Sequence, residues 1–154
     1  MPTFIPPLLG LVGLVTAFII FRLVLSYSEG NAEVKRIGDL IHSGAMKFMR
    51  TEYVYLLIFV LVLTVLVYFA LNWQTAVAVV VGASSSALAG FIGMYAATKS
   101  NTRTAAAAQD KGPATALSIS FYGGSIMGLC VASLGLLGFC LLYTSPSPRD
   151  VSRS

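Results

Sequence analysis

Few residues in this chain have side chains suited to chemistry, and their spacing limits what they could do. His42 is the only histidine. No carboxylate cluster accompanies it, so a surface or packing role outweighs metal binding or proton relay. Cys130 and Cys140 stand ten residues apart in one apolar run, which is not a metal-ligand spacing. A helix would hold them about 15 Å apart, too far for a disulfide, and they read as packing residues. Ser84–Ser86 supplies three hydroxyls but has no base in range, so interhelical hydrogen bonding is the better reading. Lys99, Arg103 and Lys111 share one stretch with a single acid, Asp110. No GxxxxGK[ST] loop, paired-carboxylate motif, HExxH or CxxC occurs.

The elements that carry these residues are set by where charge is missing. Of 154 residues, 56% are hydrophobic and only 10% are charged, against roughly 25% in a soluble domain. No Asp, Glu, Lys or Arg occurs from Tyr53 to Ala97, nor from Gly112 to Pro148. Each gap exceeds the ~20 residues that a bilayer-spanning helix needs. The fold class is therefore all-α, a polytopic transmembrane helix bundle. A net charge of +4 would point to nucleic acid in a soluble protein, but these cations sit between apolar runs, where they set topology.

Four spans follow, at about 6–26, 53–71, 76–98 and 114–143. The first starts on Pro6 and Pro7, where a missing N–H costs little. It lacks the basic start and cleavage pattern of a signal peptide and reads as a retained helix. Its one charge, Arg22, lies near the end and can snorkel to the headgroups. Gly30 and Asn31 break the chain. Val34, Ile37, Ile41, Ala45 and Phe48 then recur at helical spacing, which predicts an amphipathic helix at about 32–52 running into the second span. That span is near-continuously apolar, with tyrosines at its start and Tyr68 and Trp73 near its far end, an aromatic-belt pattern. The link Asn72–Thr75 is short and uncharged.

The third span is rich in Gly, Ala and Ser between Gly82 and Gly93, and the fourth carries Gly123, Gly124, Gly128, Gly135 and Gly138. Small residues let helices approach closely, so both spans are expected to lie among many helices. Between them a polar turn at Ser100–Thr102 and a loop Lys99–Pro113 are expected. Counting Lys and Arg by loop puts residues 27–52 and 99–113 on the cytosolic side and both ends of the four-span unit on the other. The last residues, 143–154, replace the apolar run with Ser, Pro and Arg. They are either an exposed, disordered tail or non-native sequence, and the second reading is preferred.

Three stretches resemble the membrane-integral, ion-translocating inorganic pyrophosphatases. In GMYAATKSNTRTAA (93–106), Gly-Met, Ala-Thr and Asn-x-Arg-Thr follow one another. In GNAEVKRIGDLIHSGAMKFMRTEYVYL (from Gly30), Ile-x-x-Gly-Ala leads to Glu-Tyr. FYGGSIMGLCVASLGLLG (121–138) carries Gly-Gly-x-x-Met-Gly-Leu. The resemblance runs from about Pro6 to Leu142. It implies the N-terminal fragment of an enzyme of about sixteen transmembrane helices, a homodimer in a vacuolar, acidic-organelle or plasma membrane. Such an enzyme hydrolyses pyrophosphate at a cytosolic Mg²⁺ site, in some members with K⁺, and pumps H⁺ or Na⁺.

The family's Asp- and Lys-rich motifs begin on its fifth and sixth helices, beyond this chain. No catalytic, cofactor-binding or metal-ligating residue is carried over, and these residues alone are expected to be inactive. Lys99 and Arg103 match family positions and are read as snorkelling anchors at a helix end. Two alternatives stand beside this reading. One is a small four-helix structural or assembly membrane protein without catalysis. The other is a piece of an unrelated transporter, which a charged or unwound midspan residue would favour; no such residue is present.

Overall fold

In the computed structural model, residues 5–143 are described. They form four helices: α1 (Ile5–Leu25), α2 (Ala32–Ala70), α3 (Trp73–Asp110) and α4 (Pro113–Tyr143). All four are long and apolar enough to cross a membrane. The expected tail at 143–154 lies, apart from Tyr143 at the end of α4, outside the described residues.

The helix boundaries follow from local chemistry. Asn31 caps α2, its Oδ1 accepting from Val34 N–H at 2.9 Å, and Asn72 caps α3 by accepting from Thr75 N–H at 2.8 Å. An Asx oxygen there satisfies one of the N–H groups a helix start leaves open. Between α3 and α4, Gly112 takes φ +86° and Pro113 opens α4, a left-handed stop followed by a residue that needs no N–H partner.

The expected turn at Ser100–Thr102 and loop Lys99–Pro113 do not form. α3 continues as helix to Asp110, and only Lys111 and Gly112 separate it from α4. Two or three polar residues do not break a helix that runs directly into Thr104–Ala108, where four alanines carry the strongest helix propensity available. At 38 and 39 residues, α3 and α2 are each about 57 Å long, nearly twice a ~30 Å hydrocarbon core. Both therefore extend past the apolar layer at the end that carries the basic residues.

The helices pack in the order α2, α3, α4, α1, with α1 also touching α3 through Phe21 and Tyr95. α3 lies against α4 and α2, and α4 against α1; α1 and α2, although consecutive, do not touch. The core lies where α1, α3 and α4 meet. Val24, Ile119 and Ile126 are wholly buried there beside Ala17, Ala96 and Cys130. Glycine brings the helix axes together. A side chain at Gly10 would reach Leu137 of α4, and one at Gly123 would strike the Ser100 side chain of α3. Gly82, Gly124, Gly128 and Gly135 face open space instead.

The α2–α3 contact has one antiparallel register. Gly38 lies against Thr102, His42 bonds to Thr98, and Tyr53 O–H donates to the carbonyl of Ala87. Each step down α2 is matched by an equal step back along α3. The register places Lys47 level with Gly93 and Arg50 level with Gly90.

Candidate functional site

Because α1 docks on α4 while α2 docks on the far side of α3, the link 26–31 must cross the end of α3. A polar cluster is built where it crosses. Arg103, on the α3 extension, is only 6% exposed. Its Nε donates to the carbonyl of Tyr27 at 3.2 Å, Nη1 to the carbonyl of Lys99 at 2.9 Å, and Nη2 to Glu29 Oε1 at 2.9 Å. Glu29 Oε2 also meets Lys35 Nζ at 3.5 Å. Lys111 Nζ sits 5.9 Å from the Tyr27 ring centroid. Gly30, at φ +80°, lies flat on Ala106, whose Cβ would be 2.8 Å from any side chain placed there. Both the positive φ and the contact exclude other residues.

The snorkelling reading of Arg103 is therefore wrong. Position in the sequence puts it at the end of a charge-free run, where a cation ordinarily reaches out to headgroups. Here it turns inward, because the crossing link delivers one carboxylate and one carbonyl to it. A guanidinium suits this role: its planar fork serves acceptors in fixed directions and stays charged when desolvated. Sequence reasoning missed Glu29 altogether. The available signal was an acid next to a Gly-Asn break, between two helices otherwise joined by neutral residues.

Burial pushes the Glu29 carboxyl up, but the charges of Arg103 and Lys35, with the hydrogen bond from Lys35, outweigh it. Together they hold the carboxyl below the ordinary carboxylate range. A carboxyl lowered in the folded state stabilises that state above its unfolded pKa, and the gain is lost as pH falls through the lowered value. The helix bundle is thus expected to loosen in acid, starting below about pH 4.5. Glu29→Gln should flatten that part of the pH–stability curve, which titrating detergent-induced unfolding between neutral and acid pH would reveal.

One layer deeper, His42 Nδ1 is 2.7 Å from Thr98 Oγ1, and its ring meets Tyr95 edge-on at 5.1 Å. The Thr98 hydroxyl also lies 3.1 and 3.0 Å from the carbonyls of Met94 and Tyr95, so it links His42 to the α3 backbone. His42 is a half-buried packing residue that tightens α2 on α3. Ser85 lies near Gly138 of α4, whereas Ser84 and Ser86 are exposed. Cys130 is buried in the core and Cys140 is half-buried.

The cluster can fix a backbone crossing; it has no nucleophile and no open ligand set. Mg²⁺ prefers near-octahedral oxygen donors, with one or two carboxylates plus substrate phosphates. Among the described residues no three of His, Cys, Asp and Glu converge. Glu29 is held by Arg103 and Lys35, and Glu33 by Arg36. These residues do not fit a Mg²⁺ site.

Comparison with known proteins gives the chain its family. The profile of the family described as inorganic H⁺ pyrophosphatase matches residues 11–152, ten residues beyond the point where the motif resemblance ends. The chain is 39% identical over 137 residues to a K(+)-stimulated pyrophosphate-energized sodium pump of Thermotoga maritima, covering 88% of this chain and 19% of that protein. It is 37% identical over 150 residues to a K(+)-insensitive pyrophosphate-energized proton pump of Methanosarcina mazei, 96% of this chain and 22% of that protein. To a pump of the same description from Pyrobaculum aerophilum it is 36% identical over 152 residues, 93% of this chain and 21% of that protein. The chain spans about a fifth of the length of these curated relatives. A bundle of four apolar helices that carries this match belongs to the inorganic H⁺ pyrophosphatase family.

Proposed function

We propose that this chain is the N-terminal, four-helix part of a membrane pump that couples pyrophosphate hydrolysis to translocation of H⁺ or Na⁺. The observation that carries the reading is the family match over 11–152, with relatives that are pyrophosphate-energized pumps of both ions. In this reading the four helices are wall and packing surface. Pyrophosphate, Mg²⁺ and, in K(+)-stimulated pumps, K⁺ are handled by residues outside this chain. The exposed small-residue faces of α3 and α4, at Gly82, Gly124, Gly128 and Gly135, support further helices packing there. Basic residues concentrated at 27–52 and 99–113 support a cytosolic position for that end of the bundle. The assembled enzyme would work as a homodimer in a vacuolar, acidic-organelle or plasma membrane.

The test is complementation. The Thermotoga maritima pump, deprived of the stretch that matches this chain, is co-expressed with these 154 residues in one membrane. Pyrophosphate-dependent ion uptake should return, and its continued absence despite correct insertion of both pieces would count against the assignment. The purified chain alone should insert into vesicles and release no phosphate from Mg²⁺-pyrophosphate. Mg²⁺-dependent release by the chain alone would put the active site within these helices and overturn the division of labour.

A further inference from the structure

Between α2 and α3, at the level where both enter the apolar layer, lies a cavity of about 640 Å³ lined by Met46, Lys47, Met49, Arg50, Tyr53 and Phe91. Lys47 and Arg50 stand three apart on one face of α2 and are exposed. Neither meets a carboxylate among the described residues. The floor is soft and apolar, made of two methionines and two aromatic rings. The register makes the depth unusual. Lys47 and Arg50 are level with Gly93 and Gly90 of α3, well inside the charge-free run that ends only at Lys99. Below Tyr53, the apolar side chains of α2 are almost all exposed.

We propose that this cavity holds one anionic phospholipid, its phosphate between Lys47 and Arg50 and an acyl chain running past Phe91 along the α2–α3 groove. Charge complementarity decides the occupant. Two cations held at the edge of the apolar layer gain from a phosphodiester, and basic pockets between helices on the cytoplasmic side are suited to acidic headgroups. An apolar helix laid over the same cavity would bury both charges without partners, which is strongly unfavourable. Met46 and Met49 suit a mobile chain because an unbranched thioether adapts to irregular contacts. The site requires nothing of the pyrophosphate reaction.

The experiment puts a single tryptophan in the cavity. Trp73→Phe removes the one native tryptophan and Phe91→Trp installs a reporter. The chain is reconstituted in phosphatidylcholine vesicles with a minor share of phosphatidylglycerol, and bromine is placed on the acyl chains of one lipid or the other. Brominated phosphatidylglycerol should quench the reporter as if enriched on the order of tenfold over its bulk share, a gain in keeping with two basic groups near the surface. Lys47→Gln with Arg50→Gln should return quenching to the bulk ratio, and Arg36→Gln should leave the enrichment intact. Raising salt should lower the enrichment in the unmutated cavity, which keeps the test independent of any folding defect in the variants. Equal quenching by the two lipids, or enrichment that survives the double substitution, would overturn the proposal. So would a reporter shielded from both lipids, which would mean that protein covers the cavity. Reversal by millimolar inorganic phosphate would make it a free-anion site instead.

Discussion

Arg103→Ala should cost the folded bundle about 3 kcal/mol, the low end of what breaking a buried ion pair costs, since Glu29 keeps some contact with solvent. The helices themselves should survive, because α3 has alanines on both sides of the site to sustain it. What fails is the crossing. The carbonyl of Tyr27 and the Glu29 carboxylate lose their donors, and a buried acceptor left without a donor is costly. Arg103→Lys should fall between wild type and alanine, because an ammonium keeps the charge but cannot serve three acceptors from one rigid fork. Glu29→Gln should cost about 1 kcal/mol, since its amide oxygen can still accept from Nη2. Equilibrium unfolding of the chain in mixed micelles, followed by circular dichroism and by proteolysis at the 26–31 link, would measure all three. Arg103→Ala within about 0.5 kcal/mol of wild type would show that the cluster does not hold the link.

The second large effect belongs to Gly38. A leucine there would drive its Cβ into Thr102, and the contact involves the hydroxyl, the methyl and the Cβ of that threonine. A β-branched side chain in a helix has few rotamers to escape into, so α2 must move instead. Overpacking of this kind costs about 3 kcal/mol when the backbone has to give. The shift should also strain the His42–Thr98 and Tyr53–Ala87 hydrogen bonds, which lie farther along the same contact. Gly44 is the control. It sits on the same helix with nothing near its missing Cβ, so Gly44→Leu should be neutral or stabilise by up to about 1 kcal/mol through helix propensity alone. Similar losses at both positions, measured in the same unfolding assay, would rule out the Thr102 contact as the cause.

The helical class and the four apolar runs were legible because missing charge is a one-dimensional property. A bilayer span needs about 20 apolar residues in sequence, and no tertiary contact changes that count. The break at Gly30 and Asn31 was legible for a similar reason, since an Asx cap acts within three residues. The α3 extension was misread because Ser100, Asn101 and Thr102 were judged as turn formers without the alanines that follow them. Arg103 was misread for a different reason. Its surroundings depend on α1 docking on α4 instead of α2, and no local pattern encodes that choice. The row order α2, α3, α4, α1 places the Glu29 carboxylate over α3; with α1 beside α2, Arg103 would face outward. The family resemblance did not reveal what Arg103 does in this chain.

The row order also bears on how the chain is made. α1 leaves the ribosome before the other three helices, yet its main partner is α4, whose first residue follows the end of α1 by nearly ninety positions. At about 5–20 residues per second, α1 must wait roughly ten seconds in the bilayer before the surface it docks on exists. During that interval its apolar flank is open to translocon, lipid or insertion factors. The crossing link can close under Arg103 only after α3 has entered as well. Among these four helices, α2 and α3 can therefore pair before α1 meets its partner, so the order of docking differs from the order of synthesis.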